Sequence, residues 1–153
     1  MSFTAEVKNQ ICGAQWKTCC RKVQLAALIQ MCSTMNITSQ GMHIRIQSEH
    51  ANTAKHIWKL LKEFYQVEPQ LSVLRKIKLK KSNIYVIRVN SRALEILKDL
   101  GIYTEQGLQT HIPARMLRRD CCAQGYLAGA FLAGGSVNAP QTTNYHLEIS
   151  VGE

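Results

Sequence analysis

Apolar positions along the chain switch between two periods, and the switches mark out the elements. Leu25, Leu28, Ile29 and Cys32 recur at the spacing of one helix face, which predicts a helix over residues 19–34. Gly41 marks a turn, and residues 43–47 alternate polar with apolar, as a half-buried strand does. Ala54, Ile57, Trp58, Leu61 and Tyr65 line one face of a helix over residues 50–66, with Lys55, Lys59 and Lys62 on another. Pro69 ends that segment. Residues 71–80 and 84–90 read as two strands around a turn at residues 81–83. Ser91 is the expected N-cap of a helix ending near Leu100, with Gly101 as its C-terminal stop. A further helix is expected over residues 120–133, capped by Asp120, and a last strand over residues 145–151.

These elements contain a repeat. Cys19, Cys20, Leu25 and Ala26 match Cys121, Cys122, Leu127 and Ala128 at an offset of 102, and Ala27 falls on Gly129. Asn36 falls on Asn138, and residues 43–46 resemble residues 146–149 after a slip of one position. The first unit therefore reads helix–strand–helix–strand–strand–helix. Residues 1–113 are expected to form it, together with an N-terminal extension, and residues 114–153 to open a second, truncated unit.

Composition narrows the function classes. Hydrophobic residues make up 46% of the 153 positions and charged residues 19%, as in a folded domain with a real core. No apolar run is long enough to cross a bilayer, and the start has no basic stretch followed by an apolar one. A cytoplasmic location away from membranes is expected. The net charge of +9 is uneven: residues 1–100 hold sixteen Lys/Arg against six Asp/Glu, and the rest hold three against four. Such asymmetry suits a polyanionic partner.

The six cysteines, Cys12, Cys19, Cys20, Cys32, Cys121 and Cys122, are then expected to be reduced. None belongs to a CxxC pair, and neighbours at i and i+1 point different ways on a helix. No metal site and no cofactor is expected; small buried apolar positions are the reading for some of them. The five histidines lack an acid or serine at motif spacing and carry no catalytic role.

From Leu74 to Arg92 there are seven basic residues and no acid. Lys76, Lys78 and Lys80 alternate with Ile77 and Leu79, so they share one strand face at about 6.5–7 Å intervals, comparable to phosphate spacing along DNA. Arg75, Lys76, Lys78, Lys80, Lys81 and Arg88 are the candidate DNA-binding residues. Contacts of this kind supply affinity rather than sequence reading. The alternative is a solvated face that protects an edge strand. Trp58 and Tyr85 are expected in the core, with base stacking as the other reading.

Residues 127–137, Leu-Ala-Gly-Ala-Phe-Leu-Ala-Gly-Gly-Ser-Val, resemble the motif of the LAGLIDADG homing endonucleases, with a weaker copy over residues 25–33. The resemblance implies an α+β fold in which two motif helices pack closely through small residues. Leu25, Ala26, Ala27, Leu127, Ala128 and Gly129 are the candidate helix interface. It also implies an acid at the foot of each helix holding a catalytic metal. Those places fall on Cys32 and Gly134, and the first acid of each motif is replaced by Gln30 and Leu132. The only aspartates are Asp99 and Asp120. No enzyme activity is expected.

The start of the chain (residues 1–8), Cys19-Cys20-Arg21 and residues 129–138 are similar to the WhiA family. That family joins a degenerate homing-endonuclease-like domain to a C-terminal helix-turn-helix, and no helix-turn-helix stands in this sequence. The resemblance implies a non-catalytic, nucleoid-associated regulator that binds double-stranded DNA and takes part in transcription, sporulation, cell division and chromosome segregation. Its protein partners would belong to division or transcription. The alternative is a scaffold of that machinery with no DNA contact of its own.

Overall fold

The computed structural model describes residues 2–76, 82–141 and 145–150, without the side chains of Lys76 and Ser82. The elements are α1 (Phe3–Gly13), α2 (Thr18–Cys32), β1 (Ser33–Thr38), β2 (Gly41–Ser48), α3 (Ala51–Tyr65), β3 (Gln70–Lys76), β4 (Ser82–Val89), α4 (Ala93–Asp99), β5 (Tyr103–Thr104), β6 (Gly107–Leu108), α5 (Asp120–Gly134), β7 (Gly135–Val137) and β8 (Leu147–Ile149). A 3₁₀ turn at Ala114–Leu117 precedes α5.

The main sheet is antiparallel in the order β1-β2-β4-β3. Its register pairs Met35 with Ile44, Ile46 with Ile87, and Ile44 with Val89. Directly opposed residues share a face, so these apolar residues fall on one side. That side packs on Leu25, Leu28 and Ile29 of α2, Ala54, Ile57 and Leu61 of α3, and Ile96 and Leu97 of α4. The other side carries Thr34, Asn36, His43, Arg45, Gln47, Gln70, Ser72 and Arg88, and towards one end the apolar Leu74, Ile84 and buried Val86.

The helices show why each is where it is. α3 is strongly amphipathic and buries one stripe, Ala54, Ile57, Leu61 and Tyr65. His50 caps its start, Nδ1 accepting from the Thr53 N–H at 3.1 Å, and Gln66 closes it in a left-handed conformation. α2 has no polar stripe in its middle; residues 23–29 are all buried, because the sheet core lies on one side and α5 on the other. α4 ends in a Schellman motif. Gly101, at φ +74°, donates to the Lys98 carbonyl and Ile102 donates to that of Leu97.

α2 and α5 are both 15 residues long, with both bounds displaced by 102 positions. They run side by side in the same direction, and glycines set how close they come. A Cβ at Gly129 would lie 2.7 Å from the Gln24 carbonyl oxygen and 3.0 Å from the Ala27 Cβ. A Cβ at Gly125 would lie 2.7 Å from the Cys20 carbonyl oxygen. α1 lies against α3, α5 and β7, where the Thr4 hydroxyl donates to the Val137 carbonyl at 3.1 Å and accepts from the Val137 N–H at 3.0 Å.

The α+β fold with a motif-helix pair is as expected, and several local readings are corrected. The main sheet of the first unit has one more strand: α2 stops at Cys32 and β1 starts at once, where a helix to residue 34 was expected. The threonines and Asn36 of β1 hide its apolar alternation. α1, the short β5-β6 hairpin and β7 carried too little pattern to be read. The residue before α4 is Arg92, in the left-handed region, rather than Ser91. Asp120 is the first helical residue of α5 and not its cap. The turn expected at residues 81–83 is corrected in part, since Ser82 and Asn83 already belong to β4; Lys81 and the far end of the first basic strand, residues 77–80, lie outside the described residues.

Candidate nucleic-acid interface

The polar side of the main sheet is the surface that a long ligand could lie across. Arg45 on β2 stands directly opposite Arg88 on β4, and Arg88 stands opposite Gln70 on β3. Like charges in opposed positions repel each other unless an anion lies between them. Arg88 donates to the Ser72 hydroxyl at 3.3 Å. The Nε of Arg45 and the Nδ1 of His43 are buried without a hydrogen-bond partner. His43 meets the Thr38 hydroxyl through Nε2 at 3.0 Å. A cavity of about 470 Å³ is lined here by Asn36, Thr38, Gln40, His43, Arg45, Arg88 and Asn90. Among the described residues, the four strands carry no acid, and Glu49 follows at the end of β2, in a cavity shared with Gln47 and Ile84.

Of the candidate DNA-binding residues, Arg88 lies in the middle of this surface. Lys76 ends β3 in register with that side, opposite Ser82. Arg75 is exposed but alternates to the other side of β3. Lys78, Lys80 and Lys81 lie outside the described residues. Arg45 was missed, although its signal was present. The alternation over residues 43–47 already set it on the polar side with His43 and Gln47. Trp58 and Tyr85 are half-buried against the core, and Trp58 Nε1 donates to the Pro69 carbonyl at 3.0 Å.

The candidate helix interface divides. Ala27 meets Gly129 as expected, and Ala128 is buried. Leu25 and Ala26 are buried in the core with the sheet. Leu127 is 58% exposed and turns away from α2. This is a correction: at the tight α2–α5 contact there is room only for glycine, alanine and backbone, so a leucine is displaced to the flank. It lines an apolar groove of about 330 Å³ with Ile11, Trp16, Phe131, Val137, Leu147 and Ile149.

At the foot of the helices, Cys32 donates through Sγ to the Ala133 carbonyl at 3.8 Å, and burial pushes its thiol up to about 11. Gly134 is pressed against β8. Its carbonyl accepts from the Ser150 N–H at 3.0 Å, and a Cβ there would lie 1.9 Å from the Ser150 carbonyl oxygen. The nearby cavity of about 490 Å³ is lined by Ser2, Thr4, Lys8, Gln47, Glu49, Leu132 and Ala133. Burial holds Lys8 below the usual amine range, with Cys32, Glu49 and Cys12 pulling the other way. At the two motif positions the foot thus offers a thiol and a bare backbone where the homing-endonuclease pattern has carboxylates, with Lys8 and Glu49 lining the cavity beside them.

At the head of the same helices, Cys19 and Cys20 meet Cys121 and Cys122, with all four sulfurs within 4.8 Å of one another. The expectation that adjacent cysteines cannot converge is corrected. The two pairs sit at equivalent places on two parallel helices, so the packing supplies what sequence spacing does not. Burial is the main cause that raises the Cys20 and Cys122 thiols. A hydrogen bond with Cys122 is the main cause that lowers Cys19. Beside them a cavity of about 480 Å³ is lined by Lys22, Lys98, Asp99, Arg115, Arg118 and Arg119.

The family profile of the WhiA N-terminal LAGLIDADG-like domain matches residues 18–103, and that of the WhiA LAGLIDADG-like domain matches residues 123–153. The chain belongs to the WhiA family. It is 43% identical over 149 residues to a probable cell division protein WhiA of Macrococcus caseolyticus, covering 97% of this chain and 47% of that protein. It is also 43% identical over 150 residues to the Bacillus pumilus protein of the same name, covering 97% and 48%. The chain therefore spans about half the length of these curated relatives. The crystal structure of the N-terminal LAGLIDADG domain of DUF199/WhiA superposes with a TM-score of 0.68 at 19% identity, covering 99% of this chain and 67% of that one. Full-length DUF199/WhiA from Thermatoga maritima superposes with a TM-score of 0.67 at 19% identity, covering 100% and 46%. No helix among the described residues is long and apolar enough to cross a membrane.

Proposed function

We propose that this WhiA-family chain is a non-catalytic DNA-binding part of a regulator of cell division, chromosome segregation and transcription, working at the nucleoid. The carrying observation is the unopposed pair Arg45 and Arg88 in the middle of the polar side of the sheet. Two arginines at directly opposed strand positions, on strands that carry no acid among the described residues, suit the phosphates of a duplex. Ser72, Asn36 and Thr38 around them can donate to further phosphate oxygens. The lysines after Lys76 extend the same run of charge in the sequence. Catalysis is set aside because the places of the metal-holding acids are Cys32 and Gly134. Glycine has no side chain to offer a hard cation, and a thiol is a poor ligand for one.

Fluorescence anisotropy with labelled duplex DNA over a salt series tests the reading. Affinity should fall steeply with salt, by a slope of about 0.9 per phosphate neutralised. Arg45→Glu with Arg88→Glu should weaken binding at least tenfold and lower that slope. Unchanged affinity in the folded double variant would remove the sheet from the interface. No binding of the folded wild-type chain at low salt would leave the alternative, a scaffold of the division machinery with no DNA contact of its own.

A further inference from the structure

We propose that Cys19, Cys20, Cys121 and Cys122 form a structural zinc site that ties the first turns of α2 and α5 together. A tetrahedron with Zn–S bonds of about 2.3 Å has S···S edges of about 3.8 Å. The four sulfurs already lie within 4.8 Å of one another, so rotamer adjustments of about 1 Å close the cage. Each helix gives two ligands, at its second and third helical positions. Four protein sulfurs complete the coordination and leave no open place for water, which is the pattern of a structural site. Four soft thiolates select zinc over the hard cations Mg²⁺ and Ca²⁺.

The surroundings fit the charge of the product. Zn²⁺ bound by four thiolates carries a net charge of −2, formed as four thiol protons leave and four Zn–S bonds form, with no electrons transferred. Two helix N-termini point their partial positive charge at it. Arg118 and Arg119 lie beside it, and Arg115 lines the adjoining cavity, where Lys22 is paired with Asp99 at 2.7 Å and through which half-buried Cys19 faces the outside. The link also serves the fold. Contacts through Gly125 and Gly129 let the helices approach closely but bury few side-chain atoms. A metal bridge between segments so far apart in sequence adds a cross-link at that same contact.

The 153-residue chain, purified anaerobically under reducing conditions, provides the test. Elemental analysis should find about one zinc per chain. Cobalt(II) added to metal-free protein should give the thiolate charge-transfer and strong visible bands of a tetrahedral tetrathiolate ion, displaced by zinc. Cys19→Ser with Cys122→Ser should abolish both signals, while Cys12→Ser, outside the cluster, should keep them. If the double variant does not fold, the wild-type cobalt spectrum decides alone, since its intensity reports the number of thiolates. A chain that carries no zinc and gives no such spectrum would overturn the proposal. So would one whose mass shows disulfides among these four cysteines under the same conditions.

Discussion

Leu25 and Leu127 hold the same place in two helices of equal length, and their surroundings are opposite. Leu25 is fully buried between α3, α4 and the four-stranded sheet. Leu127 is 58% exposed over a groove floored by α1, β7 and β8. The residue is the same and the helix that leaves it exposed is the more apolar of the two, so burial here is decided by what packs from outside. In the first unit, two hairpins and two helices close over α2. Beside α5 the described residues offer one two-stranded ribbon and the first helix of the chain. The α2–α5 contact is common to both units, whereas the second hydrophobic face belongs to the first unit alone.

This comparison can be broken most directly by truncating both leucines. Leu25→Ala should cost about 3–4 kcal/mol in urea unfolding, and Leu127→Ala less than about 0.5 kcal/mol. Equal losses would mean that the groove on α5 is closed in solution. Acid should sharpen it next. His56 on α3 reaches Gln24 of α2 at 2.8 Å, a contact for which Tyr126 stands at the equivalent place in α5. Burial holds His56 down to about 4, from an ordinary value of 6.5. The unfolded chain then binds the extra proton first, so stability present above about pH 6.5 falls as pH drops towards 4, by up to about 3 kcal/mol. His56→Gln should flatten that part of the pH–stability curve; an unchanged curve would assign the loss to other groups. The shared helix contact is probed by Gly129→Ala. The added methyl meets the Gln24 carbonyl, which outweighs the gain in helix propensity, for a net loss of about 1–2 kcal/mol. A rise in thermal stability would show that the helices separate without cost.

Much of this architecture was legible because it repeats. The matching cysteines, leucines and alanines located both motif helices, and Ala27 and Gly129 were among the residues named for their contact, whereas the equally close approach at Gly125 was not. The amphipathic stripe of α3 was equally open to reading, since one face of that helix is core and the other solvent. β1 escaped because its outward residues are threonines and asparagine and its inward ones include exposed Ile37. Arg45 escaped because it stands apart from the densest run of charge, over residues 75–81, and its position opposite Arg88 arises only when β2 and β4 pair. The cysteine cluster escaped for the same kind of reason. Residues distant in sequence become neighbours through the packing of two helices, and spacing within either helix carries no trace of it.

The crowding at Gly134 bears on the history of the fold. A carboxylate restored at that position by a single substitution would drive its first carbon into the backbone of Ser150. Strand β8 would have to move before an acid could be seated, and a moved strand confers nothing until the acid is there. Neither step is favourable alone, so the way back to a metal-holding foot is obstructed by packing as well as by the lost side chain.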